Sequence, residues 1–411
     1  MRILVISLAF PPVADAEAYC SGKFVQALID SGQETRVIFS SDVYGSYTRN
    51  DQSSMWDSIK RVSFDMPLRS SIPRWKSLWL ALMYRTTSWP RWTRGIVLKA
   101  RELHSEAAFD LVISRSLPPE GHLAGSWVAS DLKLPWIAIV NDPWDFSPLI
   151  PEETRPHWRT ALVYRMWWHR MLSKADRICF PCERLRNYCL RGSHRDDGVV
   201  VLPHIGAMSK SQSQDVDAFL IVHSGRLGGN EFSRRSAAGL LHGLKELFRV
   251  RPAAISRTRL VFVGPEDPQT VELATSLGLA ESVYCTGLVS YEKSLDYIAQ
   301  ASLCVLVERD LEEGMFFPSK LGDYISARKP VLALSPAVGC VADLATERGV
   351  KRVGPRDTPA IAAALVEMFD ALVEHRLESY APSDLLVSRH EGKRVIGEFL
   401  NVVSPLTMKI R

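Results

Sequence analysis

Glu312-Glu313-Gly314-Met315-Phe316-Phe317-Pro318-Ser319-Lys320-Leu321-Gly322-Asp323-Tyr324 brings together the two kinds of group that sugar and phosphate chemistry need. A helix opening at Pro318-Ser319 behind the carboxyl end of a strand presents free backbone N–H groups and a positive dipole end, which suit a phosphate. Lys320 adds a full positive charge there, and Glu313 and Asp323 flank it as acceptors able to hold hydroxyl groups. A second cation, Arg226, follows the apolar run that ends in His223-Ser224-Gly225, with Arg234 and Arg235 at the next helix start. The structural alternative stays open for each: an acid or a serine at such positions can simply cap a helix. Asp215-Val216-Asp217 imitates a metal-binding Asp-x-Asp, but no strand precedes it, so no metal site is expected.

These residues need a scaffold, and the apolar periodicity supplies one. Strand-like runs at 3–10, 35–40, 111–114, 136–140, 177–181 and 199–202 alternate with helical stretches such as 16–31. After a polar, Ser/Gln-rich stretch from Ala207 to Asp217 the pattern restarts. Strands are then predicted at 219–223, 259–263, 283–285, 303–307, 331–334 and 350–353, with helices at 235–249, 290–300, 319–327 and 358–372. Alternation of this kind predicts an α/β protein of two doubly wound, Rossmann-like domains, divided near residues 206 and 207. The length of 411 residues also favours two domains. Neither half carries Gly-x-Gly-x-x-Gly after its first strand, and Gly-x-x-x-x-Gly-Lys is absent, which removes the main support for a dehydrogenase or a P-loop NTPase.

Composition narrows the partners. Lys+Arg 50 against Asp+Glu 46 leaves a charge of only +4, too small to point to nucleic acid. No apolar run reaches the roughly 18 residues that a membrane span needs, and a secretory signal is not legible, so a cytoplasmic protein is expected. Seven scattered cysteines fit a reduced compartment, and Cys179-Phe180-Pro181-Cys182 lacks the partner pair that a zinc site requires. All 11 tryptophans lie between Trp56 and Trp168. From Lys60 to Arg101 ten Lys/Arg face the single acid Asp65, and Trp75, Leu78, Trp79 and Leu82 fall at helical spacing. A second run, Arg155 to Lys174, surrounds Trp158, Trp167 and Trp168 without an acid. Tryptophans among cations suit the headgroup layer of an anionic bilayer, which makes a peripheral membrane contact a candidate. The alternative is a core-packing helix with a solvated basic face.

The Glu313-to-Pro330 segment resembles the Glu-x7-Glu motif of family 4-like GT-B glycosyltransferases, in a Pro-Ser-Lys-Leu variant with two extra residues between the acids. His223-Ser224-Gly225-Arg226-Leu227 is similar to that family's Gly-Arg-Leu turn, and Asn141-Asp142-Pro143-Trp144 to the Arg-Asp-Pro-Trp of one subfamily. Phe10-Pro11-Pro12 also matches, whereas the two glycines that normally follow are replaced by Val13-Ala14-Asp15-Ala16, and the usual lysine is Glu231. The resemblance implies two domains facing across a cleft: an acceptor side at 1–206, to which a helix within 383–411 returns, and a donor side at 207–382. It implies retaining, metal-independent transfer from a nucleotide-diphosphate sugar, with no cofactor, to a glycan or lipid-linked acceptor. Glu313, Asp142, Arg226 and Lys320 would act at the reaction, and Arg235, Phe317, Ser319, Leu321, Asp323, Gly287 and Leu288 would complete the donor site. Asp142, His122 and Pro12 would lie on the acceptor side. His204 stands where the family has Asn-Gly. Two other classes stay open, a catalytically inactive GT-B assembly protein and a UDP-sugar epimerase.

Overall fold

Arg2–Ser7 (β1) reads Arg-Ile-Leu-Val-Ile-Ser, and its last five residues are buried, so both faces of the strand are covered. Continuous apolar strands of this kind belong inside parallel sheets with helices on both sides. The computed structural model describes residues 1–43, 50–65, 89–117, 119–142, 158–193, 195–209, 218–228 and 235–408 and contains two such sheets. The predicted helix around Trp75 and Trp79, Pro143-Trp144, Asp215 to Asp217, Glu231 and Arg234 lie outside the described residues.

In the first unit β1 is joined by β2 (Glu34–Phe39), β3 (Arg61–Ser63), β4 (Leu111–Arg115), β5 (Trp136–Ile139), β6 (Arg177–Phe180) and β7 (Val199–Val201). The order is β3-β2-β1-β4-β5-β6-β7, all parallel, with Val5 opposite Val37 on one side and Ile113 on the other. Helices α1 (Ala16–Asp30), α2 (Trp89–Glu106), α3 (Glu120–Leu132), α4 (Trp158–Lys174) and α5 (Glu183–Leu190) alternate with the strands. Asp15 begins α1, its carboxyl accepting from the Glu17 N–H at 2.9 Å, as short acids do at helix starts. A Cβ on Gly125 of α3 would lie 2.6 Å from Ser114 Cβ, so α3 rests on β4 at a distance that a side chain would not allow. On α4, Trp167 and Trp168 are buried and pack into this unit, as the core-helix alternative requires.

The second unit repeats the plan with β8 (Phe219–Ser224), β9 (Thr258–Val263), β10 (Val283–Cys285), β11 (Leu303–Val307), β12 (Glu313–Gly314), β13 (Val331–Leu334), β14 (Val338–Gly339) and β15 (Val350–Val353). Its main sheet runs β10-β9-β8-β11-β13-β15, while β12 and β14 form a separate two-stranded pair. Its helices are α6 (Ala238–Val250), α7 (Ala254–Arg257), α8 (Pro268–Ser276), α9 (Tyr291–Gln300), α10 (Ser319–Ser326), α11 (Cys340–Leu344), α12 (Thr358–Val373) and α13 (Asp384–Arg389). Phe219 on β8 meets Phe369 on α12 edge-on at 5.7 Å inside a core that also holds Leu240, Leu244 and Leu365.

The units are Met1–Pro203 with Gly392–Arg411, and His204–Glu391. The final helix, α14 (Gly392–Met408), thus belongs to the first unit, where fully buried Phe399 meets Phe24 of α1 edge-on at 5.2 Å. No helix among the described residues is long and apolar enough to cross a membrane. Phe399→Ala should destabilise the first unit by about 3–5 kcal/mol, the usual cost of an emptied aromatic site. A fall in the urea midpoint of that unit checks this, and an unchanged midpoint would remove α14 from its core.

Candidate functional site

In an open parallel sheet a ligand crevice forms beyond the strand carboxyl ends, at the point where strand order reverses. In the second unit that point lies between β8 and β11, and Ser224, Gly225 and Glu308 are the residues there. Helix α10 is fastened to it along one face. The Ser224 N–H donates to Tyr324 Oη at 2.8 Å, and Tyr324 is fully buried. The preceding residue, Asp323, accepts from the Ala207 N–H and from Tyr291 Oη, each at 2.9 Å. A further turn back, Lys320 points the same way: a Cβ on Gly225 would sit 2.6 Å from its Nζ. Gly225 has φ +103, a conformation costly for any side chain.

The electrostatics follow from this crowding. Burial and then the neighbouring Arg235 guanidinium push the Lys320 ammonium down to about 7, against the pull of Glu308 and Asp323. Burial also pushes the Glu308 carboxyl up to about 7, although a Ser335 hydrogen bond and the two cations draw it down. Its Oε2 is enclosed without a hydrogen-bond partner. His223 is fully buried and its Nδ1 donates to the Val305 carbonyl at 2.9 Å. Burial and Lys320 hold the ring well below the usual histidine range, so it stays neutral. The cap residue of α10 is Pro318, which offers no side-chain hydrogen bond to the helix start. Two cations and an uncapped helix start therefore converge on the end of β8, an arrangement that an oxyanion would stabilise.

The other predicted donor-side residues divide into two groups. Arg226 is exposed in the turn after β8, Glu313 is exposed at the start of β12, and Ser319 is half-buried as the first residue of α10. Arg235 is half-buried and pairs with Gly228 through its backbone N–H and C=O at 3.0 and 2.9 Å. Gly287 and exposed Leu288 lie in the loop beyond β10. By contrast Leu321 is fully buried core, and Phe317 is buried between the rings of His204 and His390, at 5.8 and 5.1 Å. Asp323 is buried with both oxygens engaged as above, which makes it an anchor for the 204–207 segment. Glu308 and His223 were not singled out from sequence. Glu308 had a legible signal, an acid directly after the apolar run Leu303-Cys304-Val305-Leu306-Val307.

The switch point of the first unit lies between β1 and β4. Around it are Glu17, Ser21, Arg115, Ser116, Asn141 and Asp142, all but half-buried Asp142 being enclosed. Arg115 Nε donates to Ser21 Oγ at 2.9 Å, and Asn141 Nδ2 donates to both Glu17 oxygens. His122 lies deeper, 1% exposed: its Nδ1 is 2.8 Å from Ser114 Oγ, which accepts from Trp136 Nε1 at 2.8 Å. Burial and the nearby Arg115 push His122 down to about 3, so it is a neutral support beneath this end of the sheet. Pro12 is half-buried, and its carbonyl accepts from the Asp51 N–H. Among the described residues no three His, Cys, Asp or Glu side chains come together as a metal-binding group.

Residues 18–204 match the family model described as a glycosyl transferase 4-like domain. HepE of Anabaena, solved in complex with UDP and glucose, superposes with a TM-score of 0.67 at 14% identity, covering 99% of this chain and 100% of its own. Sucrose-phosphate synthase from Thermosynechococcus elongatus gives 0.63 at 16% identity over 100% of both chains. A UDP-N-acetylglucosamine 2-epimerase from Listeria monocytogenes, described as putative, gives 0.60 at 13% identity, covering 99% of this chain and 97% of its own. None of the curated proteins matches the sequence. Likeness of this extent shows the fold, two doubly wound units of the GT-B class.

A buried ammonium beside a guanidinium costs stability. Lys320→Met, similar in length and uncharged, should therefore stabilise the second unit by about 1–3 kcal/mol. The gain should be larger at pH 6 than at pH 9, because a lysine depressed to about 7 carries its burial penalty mainly on the acid side. Thermal unfolding at the two pH values checks this, and an equal or absent gain would place Nζ in solvent.

Proposed function

We propose that this chain, whose residues 18–204 match the glycosyl transferase 4-like domain model and which has a GT-B fold, transfers a sugar from a nucleotide-diphosphate sugar to an acceptor. The observation that carries this is the convergence of Lys320, Arg235 and the uncapped start of α10 on the end of β8. In such a transfer the bond from the anomeric carbon to the diphosphate breaks, and negative charge grows on the leaving phosphate. Lys320 and Arg235, with Arg226 in the adjoining turn, are placed to meet that charge, so the proposed chemistry uses no metal and no cofactor. Glu313, exposed at the start of β12, would hold sugar hydroxyls. Gly287 and Leu288 would border the base. Retention at the anomeric carbon comes from the resemblance of the Glu313-to-Pro330 segment. The leaving phosphate then serves as the base that takes the acceptor's proton. Asp142, half-buried beyond β5, would face the acceptor, for which a lipid-linked or polysaccharide-precursor glycan fits best.

The acceptor class suits a protein that visits an anionic membrane surface. Exposed Leu98 on α2, Trp127 on α3 and Leu162 on α4 lie among exposed Arg94, Arg101, Arg165 and Arg170. Arg170 also lies 5.8 Å from the Trp127 ring centre. Apolar groups among cations are what headgroup contact requires.

Calorimetry with UDP, GDP and ADP tests the donor site. One nucleoside diphosphate should bind saturably, and Arg226→Ala should weaken it at least tenfold, a loss of about 1.4 kcal/mol. Glu313→Ala should abolish turnover of the matching sugar nucleotide while leaving the unfolding temperature unchanged. Binding without any turnover would favour the inactive assembly protein, and an epimerised sugar nucleotide would favour the epimerase. Absence of binding would overturn the donor site itself. Trp127→Ser with Arg165→Glu should reduce sedimentation with phosphatidylglycerol vesicles, and unchanged sedimentation would end the membrane proposal.

A further inference from the structure

Glu17 has no part in the transfer described so far. It lies in the first turn of α1 and is 8% exposed. Both of its carboxyl oxygens accept from Asn141 Nδ2, at 2.7 and 2.8 Å, across 124 residues of sequence. The Asn141 backbone N–H is held as well, donating to Ser116 Oγ at 3.2 Å. Asn141 is thus tied to α1 by its side chain and to the loop beyond β4 by its backbone. Asp142 is the next residue. We propose that Glu17 is a positioning residue: by gripping Asn141 it fixes the backbone from which Asp142 leaves β5 and so sets where that carboxylate stands. This rests on the acceptor-side role of Asp142.

The charges around Glu17 make the grip sensitive to protonation. Arg115 faces it from β4, Asp142 from beyond β5, and Asp15 from the cap of α1. Arg115 is itself enclosed, its guanidinium 4.9 Å from the centre of the Phe24 ring. Burial outweighs the attraction of Arg115 and the Asn141 hydrogen bonds, and with Asp142 and Asp15 it pushes the Glu17 carboxyl up to about 8. At neutral pH Glu17 keeps its proton and Asp142 has no second anion beside it. As pH rises through about 8 Glu17 ionises, and its charge then repels the Asp142 carboxylate that it positions. A carboxyl raised on folding makes the fold progressively less stable as pH climbs from its unfolded value to its folded one.

Hydrogen exchange of the 136–142 peptide, read by mass spectrometry, tests the grip without any ligand. The Asn141 amide should exchange at least tenfold faster in Glu17→Ala than in the wild type, and unchanged protection would overturn the proposal. Release of nucleoside diphosphate from UDP-glucose or GDP-mannose, with water as acceptor, tests its consequence. In Glu17→Ala kcat should fall at least tenfold while the calorimetric Kd of the nucleotide stays at the wild-type value. The wild-type rate should also decline above about pH 8, a limb that Glu17→Gln removes. The double variant Glu17→Gln, Asn141→Asp restores an amide-to-carboxyl pair with the partners exchanged and should recover most of the rate lost by Asn141→Asp alone. A wild-type kcat in Glu17→Ala, or no recovery in the double variant, would overturn the positioning role. If the wild type binds neither nucleotide, the transferase proposal fails, and the exchange measurement alone decides whether Glu17 grips Asn141.

Discussion

The repulsion between the Lys320 ammonium and the Arg235 guanidinium, both half-buried near the end of β8, is the constraint on which this part of the second unit depends. Repulsion between like charges grows as water is excluded, so this arrangement would relax if Lys320 could swing outward. Helix α10 itself is fastened by two other residues of the same face. Asp323 bonds Ala207 and Tyr291, and Tyr324 takes the Ser224 N–H. Those ties are ordinary buried hydrogen bonds, each worth about 1 kcal/mol. Together they hold the helix start against the turn at Gly225. The cost is local, and real proteins accept such costs mainly where a site serves binding before stability.

The first unit has a similar strand plan and a different set of charges. Where the second unit gathers Lys320, Arg235 and Arg226, the first gathers Glu17, Asp142 and Asn141 around a single enclosed Arg115. Similar topology therefore does not dictate what a switch point binds; the side chains on three or four loop ends do. In the interior of the first unit His122, Ser114 and Trp136 form one hydrogen-bonded chain that adds no charge.

Much of this could be read in the sequence where apolar runs are continuous and flanked by breaks. Leu303–Val307, Val331–Leu334, Val350–Val353 and Val283–Cys285 form strands at the predicted positions, and the helix predicted at 319–327 is Ser319–Ser326. Arg61–Ser63 escaped because three residues carry no periodicity, and β12 and β14 because two residues pair only through their neighbours. The helix predicted from 235 begins at Ala238, since the Arg235 backbone pairs with Gly228 instead. Among the candidate site residues, Lys320, Ser319, Arg226 and Glu313 stand out in the sequence because their positions follow strand ends. Glu17 does not. In Ala16-Glu17-Ala18-Tyr19 it reads as a solvated helix acid, and only Asn141, remote in sequence, shows otherwise. Asp323 misled in the other direction, since nothing local reveals that Ala207 and Tyr291 occupy its oxygens.

Helix α14 closes a unit whose other residues end at Pro203. The first half of the chain therefore leaves the ribosome with the groove over α1 uncovered, and Phe24 waits for Phe399 until residues 392–408 are made. The second unit, contiguous in sequence, has all of its residues earlier than the first has its final helix. Domains usually fold in the order of synthesis; here the order of completion is reversed. A ribosome that stalls late in this message would release a finished second unit attached to an unfinished first one, with apolar surface open to chaperones and proteases.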